Sequence, residues 1–102
     1  MSLNKEQFLL LKLMEECAEV SQEASKCIQF GLYETYVEVG ISNKERLERE
    51  LNDLQAIIEI VKEQLYVDSN FSKLEDVEYK KEKLNKYIKY SHQLGCVDNI
   101  QV

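Results

Sequence analysis

The chain has 102 residues, no proline, three glycines and a net charge of −6, a balance that fits one small, helical domain spanning 1–102. So acidic a chain is a poor ligand for a nucleic-acid backbone, and the five lysines between Lys80 and Lys89 read as a solvated helix face. No apolar run is long enough for a signal peptide or a membrane span, so the expectation is a cytoplasmic protein with no membrane partner.

The first helix is expected to start at Asn4, which can cap it with Gln7 three residues on, and to stop near Gly31. Its apolar stripe, Leu9, Leu10, Leu13, Met14, Cys17, Val20, Ala24, Cys27 and Ile28, has helical spacing. Residues 31–42 break the pattern between two glycines. They fit an ordered loop, a short extended segment or a lid, and the sequence does not choose among these.

A second capping box, Ser42 with Glu45, opens a helix expected to run to about Tyr66, with Leu47, Leu51, Leu54, Ile57, Ile58, Val61 and Leu65 as its stripe. Ser72 with Glu75 opens a third, expected to run to about Gln93 before Gly95. The third stripe, Leu74, Val77, Leu84, Tyr87, Ile88 and Leu94, is weaker and rich in lysine. Cysteines 17, 27 and 96 have no CxxC spacing and His92 is the single histidine, so a structural zinc site has no ligand set. Cys17 and Cys27 read as small apolar core residues in a reducing compartment.

Acidic residues carry the chemistry. Glu16 and Glu19 lie three apart in the first helix, Glu50 and Asp53 three apart in the second, and residues at that spacing share a helix face. On a wheel of about 100° per residue, Glu50 falls inside the apolar arc, between Leu47 and Leu54, while Asp53 lies at its edge and Glu16 borders the first helix's stripe. Carboxylates beside a core must be compensated, and neighbouring like charges raise the cost. A shared cation is the simplest compensation for four acids. An all-oxygen set favours a hard ion, Mg²⁺ first and Mn²⁺ second. A di-iron bundle would want Glu-x-x-His pairs, which are absent.

The segment Glu15-Glu16-Cys17-Ala18-Glu19 matches EExxE, and Glu50-Leu51-Asn52-Asp53 matches ExxD. With the surrounding strings over residues 9–62, they resemble the MazG-like all-α nucleoside triphosphate pyrophosphohydrolases, a group that includes dimeric dUTPases and phosphoribosyl-ATP pyrophosphatase. The resemblance implies Glu16, Glu19, Glu50 and Asp53 as Mg²⁺ ligands, with Glu15 as a supporting or water-activating acid. It implies hydrolysis of a nucleoside triphosphate to monophosphate and pyrophosphate. The 30 residues between Glu19 and Glu50 make an unusually long connection for this pattern, and the C-terminal third matches it less well.

A triphosphate needs cationic partners. Lys12 precedes Glu16 by one turn, Arg46 precedes Glu50 and Arg49 precedes Asp53; each also fits ordinary i,i+4 ion pairing. Lys26 is a further candidate, and Asn52 can read a sugar or base edge or simply face water. The expected architecture is an all-α antiparallel bundle with a four-helix-bundle-like core completed by oligomerisation, as a dimer or tetramer. A dUTPase or phosphoribosyl-ATP pyrophosphatase on the same scaffold stays open, as does a catalytically silent dimerisation or regulatory module.

Overall fold

A computed structural model describes residues 2–35, 40–65 and 74–98. The chain is all-α, and the described residues form three helices: α1 Lys5–Phe30, α2 Asn43–Leu65 and α3 Leu74–Gln93. It divides into two compact units, Met1–Asp68 and Ser69–Val102. No helix among the described residues is long and apolar enough to cross a membrane.

The ends of α1 form where local chemistry puts them. Asn4 stands in an extended conformation, and its side chain accepts from the Gln7 N–H at 2.8 Å while the Gln7 side chain accepts from the Asn4 N–H at 3.0 Å. Two of the helix's orphan donors are thereby satisfied. At the other end Gly31 takes φ +95°, open to glycine and strained for other residues, and donates to Cys27 O at 3.0 Å.

α2 begins beside that cap. Ser42 Oγ accepts from the Glu45 N–H at 3.1 Å. The intervening segment takes an extended form at its two ends: Thr35 and Ser42 make an antiparallel bridge, and the N–H groups of Asn43 and Lys44 donate to Glu34 O and Leu32 O at 3.0 and 2.8 Å. Residues 36–39, the end of the second helix at Tyr66 and the Ser72 cap all lie outside the described residues.

α1 and α2 pack antiparallel: Lys5 donates to Gln64 at one end, and Asn43 reaches Gly31 at the other. Between them Leu9, Ile57 and Val61 are buried, with Leu13, Leu54 and Leu65 partly buried against them. Three buried aliphatic side chains make a small core for helices of 26 and 23 residues. Several residues expected in that core are not in it. Met14 is 68% and Ile28 86% exposed, and Leu10 and Cys17 are also exposed. A pair of helices shares only one line of contact, and these side chains sit a quarter-turn or more beyond it.

α3 forms its own unit. Its described side chains are exposed, except for half-buried Ser91. Its C-terminus closes on itself: Leu94 N–H donates to Tyr90 O, Gly95 N–H to His92 O and Cys96 N–H to Ser91 O, at 2.9–3.1 Å, while His92 Nδ1 lies 2.8 Å from Val97 O. The last turn's carbonyls therefore keep partners.

Candidate metal centre

The antiparallel register brings the middle of α1 against the middle of α2, where two acids sit on the contact line itself. Asn43, Glu50 and Ile57 are seven residues apart, two helical turns, and so share one face of α2; Glu16 lies seven after Leu9 on α1. Ile57 and Leu9 are core, and Glu50 and Glu16 inherit the same inward direction. Both are half-buried, and Asp53, one turn on, is exposed.

Glu16, Glu50 and Asp53 each place a carboxylate oxygen within 4.8 Å of the others. Glu16 Oε2 and Glu50 Oε2 are sealed from water and accept no hydrogen bond from a described donor. Glu19, exposed on the rim, acts on both through its charge and a side-chain hydrogen bond. Both pKa values are raised accordingly. For Glu16 burial is the largest cause, followed by the charges of Glu19 and Asp53. For Glu50 the hydrogen bond with Glu19 comes first, then burial, then the charges of Glu19, Asp53 and Glu16. Like charges closing on partly dehydrated oxygens make each carboxylate harder to ionise. Three of the four acids expected from the sequence, Glu16, Glu50 and Asp53, thus meet at one place, with exposed Glu19 beside them.

The other expected residues divide. Glu15 is exposed and pairs with Lys12 at 3.0 Å, so Lys12 meets Glu15, not Glu16. Lys12 also lies 5.4 Å from the centroid of the Phe8 ring. Arg46 is half-buried on α2 one turn before Glu50, and Arg49 is exposed one turn before Asp53. Two candidates are not brought to the acids. Lys26 pairs with Glu23 at 3.3 Å, about 15 Å along α1 from Glu16 at 1.5 Å per residue. Asn52 is exposed and, two residues after Glu50, is turned about 160° away from the contact line.

Sequence reasoning passed over Asn43, the most deeply buried side chain described, at 1% exposure. Its Nδ2 donates to Gly31 O at 2.9 Å and to Glu34 Oε2 at 2.8 Å. It clasps the start of the interhelical segment to the N-terminus of α2. The signal was its seven-residue spacing from Glu50 and Ile57, which puts it on the buried stripe.

Compared with known proteins, the chain matches no family model, no curated protein and no solved structure. What the acids can do rests on their own chemistry. The donors are all oxygen and none brings a positive charge, which suits a hard divalent cation such as Mg²⁺. The sealed, donorless oxygens of Glu16 and Glu50 are the feature a cation would satisfy.

Proposed function

We propose that the protein is a Mg²⁺-dependent nucleoside triphosphate pyrophosphohydrolase, cleaving an NTP or dNTP to monophosphate and pyrophosphate in nucleotide pool control or sanitation. The observation that supports it most is the meeting of Glu16, Glu50 and Asp53 with two water-excluded, donorless oxygens. The match of residues 15–19 to EExxE and of 50–53 to ExxD, the pattern of MazG-like enzymes, points the same way.

Glu16, Glu50 and Asp53, with Glu19 at the rim, would hold the cation. Bound there, Mg²⁺ offsets phosphate charge and lowers the pKa of a coordinated water; Mn²⁺ suits the same oxygens. The residues around it have separate tasks. Glu15, the first acid of EExxE, would take a proton from the attacking water, with Lys12, its ion-pair partner, released to the phosphates. Arg49 and Arg46 flank Asp53 and Glu50 on α2 and are the cations nearest in sequence for the triphosphate. Water attacks the α-phosphorus, the bond to the bridging oxygen breaks, and pyrophosphate leaves.

The reading includes an assembly of two or more copies with a four-helix core, because the hairpin buries so little of its own apolar surface. It leaves a dUTPase or phosphoribosyl-ATP pyrophosphatase as siblings that differ only in the substrate pocket. Incubation with a panel of NTPs and dNTPs plus Mg²⁺, followed by separation of products, tests it. Monophosphate with pyrophosphate supports the reading, and orthophosphate as the direct product refutes it.

A further inference from the structure

The acids open on one side of the α1–α2 hairpin, and that side changes character along its length. On an antiparallel pair, residues displaced in the same rotational sense from the contact line fall on one side. One position before the contact residues Leu9, Glu16 and Ile57 come Phe8, Glu15 and Ala56. Three positions after Leu9, Glu50 and Ile57 come Lys12, Asp53 and Ile60, displaced in the same sense. Lys5 donates to Gln64, and Glu16 meets Asp53. The same register sets Phe8 level with Ile60 and Lys12 level with Ala56, to within one residue.

Phe8 is 48% and Ile60 41% exposed, and Ala56, between Ile60 and Asp53, is small and exposed. Phe8 is seven residues from Glu15 and Ile60 seven from Asp53, about 10 Å along the helices. A nucleoside covers a comparable span from its α-phosphorus to the far edge of its base. Lys12 bridges the interval, its Nζ 3.0 Å from Glu15 and 5.4 Å from the centroid of the Phe8 ring. Beyond the acids, toward Gly31, the same side turns cationic, with Arg49 exposed and Arg46 half-buried. Phe30, the exposed aromatic at that end, lies about 20 Å along α1 from Glu16 at 1.5 Å per residue, beyond a nucleoside's reach.

We infer that Phe8 and Ile60 form a base platform beside the acid site: the nucleobase lies on them, the sugar crosses Ala56, and the triphosphate runs over the acids toward Arg49 and Arg46. This orientation rests on the reading above for the place of the phosphates, but not for which bond breaks. Charge sets its direction. A triphosphate laid the other way would put its anionic end on two hydrocarbon side chains. Lys12, on leaving Glu15 for a phosphate, also frees the ring face that the base takes. Two half-exposed side chains are a small fraction of the about 800 Å² that each partner brings to a protein interface, but they suit one flat ring. The two side chains carry no polar atom, so they hold a base by its face and not by its edge. Stacking of that kind accepts every base, and the larger purine covers more of the platform. The substrate class is therefore purine nucleoside triphosphates first, with pyrimidines accepted more weakly.

Kinetics with and without a base give the first test. With ATP and Mg²⁺, Phe8→Ala should raise KM about tenfold, the loss of one base–aromatic stack, and leave kcat within about twofold. Phe8→Leu, which keeps apolar bulk, should show the same rise, while Phe8→Trp should keep the wild-type KM. Ribose 5′-triphosphate, which has no base, should be turned over equally by wild type and Phe8→Ala. The second test needs no turnover. The chain has no tryptophan, so Phe8→Trp places a single reporter on the platform. Its fluorescence should be quenched by the non-cleavable α,β-methylene analogue of ATP in Mg²⁺ and not by ribose 5′-triphosphate. An unchanged KM in Phe8→Ala, an equal loss on ribose 5′-triphosphate, a tryptophan that the analogue leaves unquenched, or turnover confined to one pyrimidine would each overturn the inference. Turnover with KM indifferent to Phe8 would sink the platform alone, and quenching without turnover the enzymatic reading alone.

Discussion

Glu16 and Glu50 face each other across the α1–α2 contact with carboxylate oxygens within 4.8 Å, each with its Oε2 sealed from water and without a donor. Two like charges in that position oppose the packing that brings them together. Leu9, Ile57 and Val61, about two to three turns away on the same helices, hold the site closed against that repulsion.

A cation between them should therefore act on stability. Melting followed by circular dichroism should show Mg²⁺ raising Tm; at about 100 times its Kd the gain is about 2.7 kcal/mol, or roughly 10–20 °C for a domain of this size. Glu50→Gln should abolish the shift. In chelator the same variant should melt above the wild type, because it removes one of the repelling charges. A wild type indifferent to Mg²⁺ would leave the acids without a metal role.

The acids also set a pH dependence. Raised pKa values for Glu16 and Glu50 mean the folded chain keeps protons that the unfolded chain has released. Stability in chelator should then rise as pH falls from neutral toward about 5, and be lost as pH climbs through the raised values. Excess Mg²⁺ should reverse the slope, since it binds the ionised carboxylates. Urea unfolding across that range, with and without Mg²⁺, reads both signs; chelated protein that gains stability with rising pH would contradict them.

Much of this was legible in the sequence because it is local. Asn4 with Gln7 and Gly31 mark α1's ends by chemistry within a few residues. Read against the apolar stripe, Glu50 fell inside the buried arc and Glu16 beside it, and both are half-buried, while Glu19 and Asp53 are exposed. The residues that went astray depend on distant partners. Met14, Cys17 and Ile28 fit a helical stripe, but periodicity gives a direction and not what lies opposite. Asn43 was missed because a polar residue one step after a cap suggests a surface. Its partners, Gly31 O and Glu34, meet it only after the segment between the helices has turned back.

Asn43 carries a separate prediction. Asn43→Ala leaves Gly31 O without its side-chain donor and removes packing from the most buried polar position. Urea unfolding should show a loss of about 1–3 kcal/mol, with the Mg²⁺ shift retained. A neutral outcome would mean the clasp is not needed to hold the start of the interhelical segment on α2.

Ile57 and Ile60 stand three apart on α2 and look alike in sequence, but they are 8% and 41% exposed. Ile57→Ala should cost about 2–5 kcal/mol by removing a core side chain. Ile60→Ala should cost under about 1 kcal/mol, as suits a partly exposed position. Equal losses in denaturant unfolding would place the hairpin's contact line elsewhere.

The most direct test of the central claim is turnover in ¹⁸O-water with Mg²⁺ and the best nucleotide of an NTP and dNTP panel, with Glu50→Gln in parallel. Attack at the α-phosphorus puts the label in the monophosphate and none in the pyrophosphate. Even outer-shell partners of a metal cost about 10–100-fold when removed, so Glu50→Gln should lose at least about 100-fold in rate. Label in pyrophosphate or orthophosphate, or a variant as fast as the wild type, would contradict the assignment of these acids to that reaction.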